Sequence, residues 1–121
     1  LKRFVPHVVV LGSGHMAKLT TQVLKEKAQS FTCLSRRGGD DIEHYQFSRP
    51  KDGRTLLIVN TCSREFVFQG KLPREAIFWD YNYAFPPHED RLPQYCEYRD
   101  GMNLLYLQAK YALSFWGIPT P

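Results

Sequence analysis

The run Val8-Val9-Val10-Leu11 passes directly into Gly12-Ser13-Gly14, and a helical pattern begins at once at His15. A continuous β-branched stretch over residues 7–11 suits a strand covered on both faces of a parallel sheet, since such a strand has no solvent side to keep polar. Over residues 15–28 the apolar side chains Met16, Leu19, Val23 and Leu24 recur at helical spacing, with Lys18, Lys25 and Lys27 elsewhere. Strand, glycine bend and helix in immediate succession make the first part of a βαβ unit.

The remaining pattern extends this reading. Strands are expected at residues 30–35, 55–59 and 76–79, with weaker ones at 44–47 and 95–98. Residues 103–116 read as a closing helix with Leu105, Ala109, Ala112 and Trp116 on one stripe. Asp100 or Asn103 would be its N-cap, and Gly117-Ile118-Pro119 its stop. Strands and helices alternating over short connections predict an α/β fold with a doubly wound, mainly parallel sheet of Rossmann-like type. Between Gly39 and Tyr45 there is little room for a crossover helix, so the fold is expected to be trimmed between its second and third strands.

At 121 residues the chain can bury one core and is expected to be one domain, residues 1–121. Leu1 to Pro6 reads as a linker, which suggests a piece of a longer protein. The apolar run at Val8–Leu11 is far shorter than the roughly 20 residues of a membrane span. Cys33, Cys62 and Cys96 form no CxxC pair, which argues against a zinc site or a disulfide framework and for a reducing, cytoplasmic setting. The net charge of +4 comes from 16 Lys and Arg residues interleaved with acids, and Arg36-Arg37 is their tight cluster. That pattern points away from nucleic acid and toward a smaller anion at the arginine pair.

Gly12-Ser13-Gly14-His15-Met16-Ala17 is GxGxxA. After a strand and before a helix, Gly12 allows a tight turn, Gly14 allows the backbone to approach a pyrophosphate, and Ala17 allows close packing of helix on strand. The free N–H groups of the first helical turn and the helix dipole then favour an anion. A site for NAD usually carries Asp or Glu about 20 residues further on. Here that place holds Leu34-Ser35-Arg36-Arg37, so Ser35, Arg36 and Arg37 predict the additional phosphate of NADP.

These stretches, taken in order, resemble the C-terminal NADP-binding domain of the shikimate and quinate dehydrogenases. Ser35-Arg36-Arg37 stands where that family has Asn-Arg-Thr, Asn60-Thr61-Cys62 where it has Asn-Ala-Thr, and Asp80 and Tyr83 match its Asp-x-x-Tyr. Asp100-Gly101-Met102 through Gln108-Ala109 is similar to its late glycine motif, with Trp116 also matched. The resemblance implies that Gly101 lies against the nicotinamide, that Thr61, Cys62 and Tyr81 line the cofactor path, and that Gln108 and Tyr83 serve the substrate. It further implies hydride transfer between NADP and a cyclic hydroxy acid, with a catalytic Lys and Asp supplied by an N-terminal domain that the 121 residues do not contain. The fragment alone is therefore expected to bind cofactor without turnover, and its catalytic residues are unknown.

Departures from the pattern keep other readings open. Asn103 replaces the family's second late glycine, Asn-Ala-Thr has become Asn-Thr-Cys, and the family's usual Thr falls near His88. These changes suit a non-catalytic NADP sensor or an interaction module. Gly-Ser-Gly-His-Met also resembles the cofactor domain of glutamyl-tRNA reductase. His7, His15, His44 and His88 lack metal-site spacing. Cys62 reads as a small buried thiol, and Asp80 as a structural acid bonded to a nearby turn.

Overall fold

In the computed structural model, which describes residues 6–102, 105–107, 109, 110 and 117, the valine run forms β1 (His7–Leu11). It lies between β2 (Phe31–Leu34) and β3 (Leu56–Asn60), and β4 (Ile77–Asp80) and β5 (Glu97–Arg99) continue the sheet beyond β3. All five strands are parallel, in the order β2-β1-β3-β4-β5. The chain therefore winds outward in one direction from β1 and in the other from β3. The point of reversal, between β1 and β3, is where ligands settle in open parallel sheets.

The two-residue period of β1 explains why its whole length is apolar. Val8 and Val10 face one side and Val9 and Leu11 the other, and all four are buried. On the first side they meet Ala17 of helix α1 (His15–Glu26), together with Val59. On the second they join Ile58, Phe78, Phe66, Phe68, Phe47 and Leu92. Three of those aromatics, Phe47, Phe66 and Phe68, come from connections and not from strands or helices. The expected trimming is present: residues 35–55 cross from β2 to β3 without a helix. It extends further than expected, because residues 61–76 join β3 to β4 without a helix as well. Loop aromatics fill the volume that a crossover helix would occupy. After β4, the short helix α2 (Pro86–Glu89) and a 3₁₀ turn at Leu92–Gln94 lead into β5.

Several boundaries and one helix face differ from the sequence expectation. Residues 44–47 make no strand; Gln46 forms a single parallel bridge to Lys71. The last strand starts at Glu97, since the Tyr95 and Cys96 amides bond back to the Leu92 carbonyl in the preceding turn. Helix α1 ends at Glu26, and Ala28 adopts φ 54°, with the Ala28 and Gln29 amides closing on Lys25 and Leu24. Three of the four residues of the apolar stripe of α1 are turned outward: Met16 is 37% exposed, and Leu19 and Val23 are 47% exposed. The helix instead presents Ala17, Thr20 and Leu24 to the sheet. Ala17 is small enough for close approach, Leu24 packs beside it, and Thr20 Oγ1 shares a 2.6 Å hydrogen bond with the Tyr81 hydroxyl.

The closing helix begins at Met102, one residue before the expected Asn103, with Asp100, one of the two expected caps, capping it. The Met102 amide donates to Asp100 Oδ1 at 3.0 Å, and the Leu105 amide to the Gly101 carbonyl at 3.0 Å. Leu105 and Ala109 are exposed, whereas Asn103, Gln108, Ala112 and Trp116 lie outside the described residues. No helix among the described residues is long and apolar enough to cross a membrane.

Candidate functional site

The carboxyl ends of β1, β2 and β3 converge on one bend. Gly12 has φ +117°, a conformation that side chains other than hydrogen strain to adopt. A Cβ at Gly12 would also stand 2.4 Å from Thr61 Oγ1. Thr61 is held there because its amide and hydroxyl both donate to the Leu11 carbonyl, at 3.0 and 2.7 Å. The Gly12 amide is bonded in turn to the Leu34 carbonyl of β2 at 2.9 Å. The bend is thus stitched to both neighbours of β1, and glycine is required there by the protein's own packing.

Gly14 is different. A Cβ placed on it would meet nothing within 4 Å. As the N-cap of α1 it carries no side chain to bond the first amides, and the first helical turn holds no acidic residue. His15 and Met16 are exposed beside it. The first N–H groups of α1 therefore have no capping side chain from Gly14 as a partner.

Beside this bend lies a cavity of about 180 Å³ whose lining includes Gly12, Ser13, Ser35, Arg36, Arg37 and Cys62. Six residues chosen from three separate stretches of the sequence therefore share one wall. The segment after β2 presents the arginines on a closed turn. The Gly38 amide donates to Ser35 Oγ at 3.0 Å, the Asp40 amide to the Ser35 carbonyl at 3.0 Å, and the Ser35 amide to Asp40 Oδ2 at 3.0 Å. Asp40 is thereby committed to the turn's backbone. Among the described residues no carboxylate forms an ion pair with Arg36 or Arg37, whereas Arg49, Arg54 and Arg99 each have one.

Ile42, Ser63, Glu65 and Phe66 complete the lining, and Glu65 and Phe66 carry no signal in the sequence. Both come from the connection after β3, and only the fold brings them to the arginines. The Arg36 guanidinium carbon lies 5.5 Å from the centre of the Phe66 ring, within cation–π range. The Cys62 thiol is pushed up from its ordinary range by burial, with Asp80 adding to the rise and Arg36 opposing it. It is a half-buried wall of the cavity and not an activated nucleophile.

Of the other residues implied by the family resemblance, Tyr81, Gly101 and Tyr83 are not in the lining of this cavity, and Gln108 is outside the described residues. Tyr81 gives its hydroxyl to Thr20 and packs with the α1 side of the core. Gly101 is buried on the Tyr81 carbonyl, where a Cβ would come within 2.2 Å of the oxygen. Tyr83 is 42% exposed, and its carbonyl accepts from Arg64 at 2.7 Å.

Asp80, anticipated as a structural acid, is the centre of a buried network whose extent the sequence did not reveal. It accepts from Asn60 Nδ2, the Asn82 amide and Asn82 Nδ2 on Oδ1, each at 3.1 Å. On Oδ2 it accepts from His88 Nδ1 at 2.7 Å and the Tyr98 hydroxyl at 3.0 Å. His88 Nε2 in turn accepts the Phe68 amide at 2.8 Å, which puts the neutral ring's proton on Nδ1. Burial pushes the Asp80 carboxyl up, but the bonds from His88 and Asn82 outweigh it and hold the group below the usual carboxylate range. Burial also raises Tyr98, as does the adjacent Asp80 charge. The network reaches the carboxyl edge through Asn82, which donates to the Cys62 carbonyl and accepts from the Gly101 amide.

No family model, curated protein or solved structure matches the chain. No group of three or more His, Cys, Asp or Glu among the described residues is placed to hold a metal ion.

Proposed function

We propose that this chain binds NADP(H) as the cofactor domain of an oxidoreductase of the shikimate dehydrogenase type. The observation that carries the reading is the cavity shared by the glycine bend, which ends β1 next to the reversal point of the sheet, and by Arg36 and Arg37, which form no ion pair among the described residues. The donor set suits the group. Amides at the start of α1 are free for a pyrophosphate, and two guanidinium groups with the Ser35 hydroxyl suit a phosphate monoester on the adenosine ribose. When bound, the nicotinamide would supply hydride chemistry. The part played by these residues is to bind and orient. The Gly12 bend keeps side chains out of the cofactor's path, and the arginines select the phosphorylated ribose.

Isothermal titration tests the reading directly. NADPH should bind more tightly than NADH, and Arg36→Ala should weaken NADPH by about 10- to 100-fold, the worth of a charged hydrogen bond of about 1.5–3 kcal/mol. NADH should be little affected by the same change. Absence of heat with millimolar NADPH, or equal losses for both cofactors, would overturn the assignment.

A further inference from the structure

Resting on the NADP(H) reading, we propose that Phe66 is a positioning residue for cofactor choice: its ring holds the Arg36 guanidinium over the cavity, ready for the ribose phosphate. Arg36 and Arg37 are both exposed, and a free arginine on a turn loses substantial rotamer entropy when a ligand fixes it. Arg36 is relieved of part of that cost because its guanidinium already lies over Phe66 at 5.5 Å. The contact takes up none of the guanidinium's N–H groups, and among the described residues Arg36 donates no side-chain hydrogen bond, so its donors remain for an anion.

The platform is itself fixed from behind. Phe66 is 3% exposed, and its amide donates to the Ser63 carbonyl at 3.0 Å. Its ring meets the edge of His88 at a centroid distance of 6.3 Å and 67°. His88 is locked between Asp80 and the Phe68 amide. Order thus passes from the fully buried Asp80–His88 pair through one aromatic ring to an exposed cation. Glu65 makes the ring necessary. Glu65 lines the same cavity, so a guanidinium released from Phe66 would have a nearby acid to compete with the phosphate.

The test is titration of the 121-residue chain with NADPH and with NADH, for the wild type, Phe66→Leu, Phe66→Met and Phe66→Tyr, each also in an Arg36→Ala background. Phe66→Met preserves volume if the leucine variant fails to fold. Removing the ring should lower the preference for NADPH over NADH about two- to five-fold, the range of an exposed cation–π contact, with NADH affinity unchanged. Phe66→Tyr should retain the preference, and in the Arg36→Ala background loss of the ring should change nothing further. A wild type that prefers NADPH combined with ring-loss variants of unaltered preference would overturn the positioning role and leave the cofactor reading standing. Equal weakening of both cofactors, or a loss of preference that persists without Arg36, would also overturn it. A wild type that binds neither cofactor overturns both proposals together.

Discussion

Two polar assemblies sit at the carboxyl edge of the same sheet, and they differ in whether their hydrogen-bonding groups are used up. Around Asp80, at the end of β4, five donor groups converge on one carboxylate. Asp80, Asn60 and His88 are wholly excluded from water. No buried side-chain nitrogen or oxygen among the described residues lacks a partner. Around Arg36 and Arg37, beyond β2, the cations are exposed, stand without an ion pair among the described residues, and face a cavity. The difference separates polar groups that the fold consumes from polar groups that it leaves for something else. Burial and charge alone would have ranked Asp80 and His88 as the reactive pair. Their complete satisfaction assigns them to structure.

The comparison breaks most visibly at Asp80. Asp80→Ala leaves buried donors from His88, Tyr98 and Asn60 without an acceptor, and should cost about 3–5 kcal/mol, a large share of a small domain's stability. Urea unfolding measures it. Asp80→Asn is no remedy, because its NH₂ meets donors whichever way the amide turns, His88 Nδ1–H and the Tyr98 hydroxyl on one side and the Asn60 and Asn82 N–H groups on the other, and His88 cannot change tautomer while Nε2 accepts the Phe68 amide. The same network sets an acid limit. A carboxyl held low in the folded state adds stability above the ordinary carboxylate pKa of about 4, and that contribution disappears as pH falls through the folded value. Tyr98→Phe deletes one donor to Asp80, so its acid unfolding midpoint should move to higher pH than that of the wild type.

Gly12 ranks next. Gly12→Ala forces a Cβ to 2.4 Å from Thr61 Oγ1 at φ +117°. It should destabilise the unliganded protein by about 1–3 kcal/mol, as strain at a left-handed position does. A Thr61→Ser partner variant retains the bonded oxygen and should not relieve it, whereas Thr61→Ala should recover part of the loss.

How much of this was legible beforehand follows from what kind of signal each residue carries. The β1 to α1 junction was readable because valine runs, glycine spacing and helical periodicity are local. The arginine pair was readable because it follows β2 at a fixed distance from the bend. Phe66 and Glu65 were not, since they reach the cavity only through the pairing of β1 with β3. His88 lacks metal-site spacing in the sequence, and its role as the partner of Asp80 depends on α2 folding back over β4. The outward turn of Met16, Leu19 and Val23 was hidden for a related reason. Helical period identifies a stripe, while the Ala17 contact and the Thr20 to Tyr81 bond decide which stripe faces the sheet.

The smallest effect on stability should come from the second glycine of the bend, and it sharpens the comparison most. Gly14 has φ −82°, which any residue adopts, and a Cβ there meets nothing within 4 Å. Gly14→Ala should therefore change unfolding stability by less than about 1 kcal/mol, the ordinary cost of alanine at an N-cap. If Gly14 serves only to let a pyrophosphate approach the amides of α1, the same variant should lose NADPH and NADH affinity alike while its unfolding curve stays near that of the wild type. Gly12→Ala should show the reverse emphasis, with stability falling first. Full retention of cofactor affinity in Gly14→Ala would mean that the phosphates do not pass over this turn, and the glycine pair would then be explained by the packing of Thr61 against Gly12 alone.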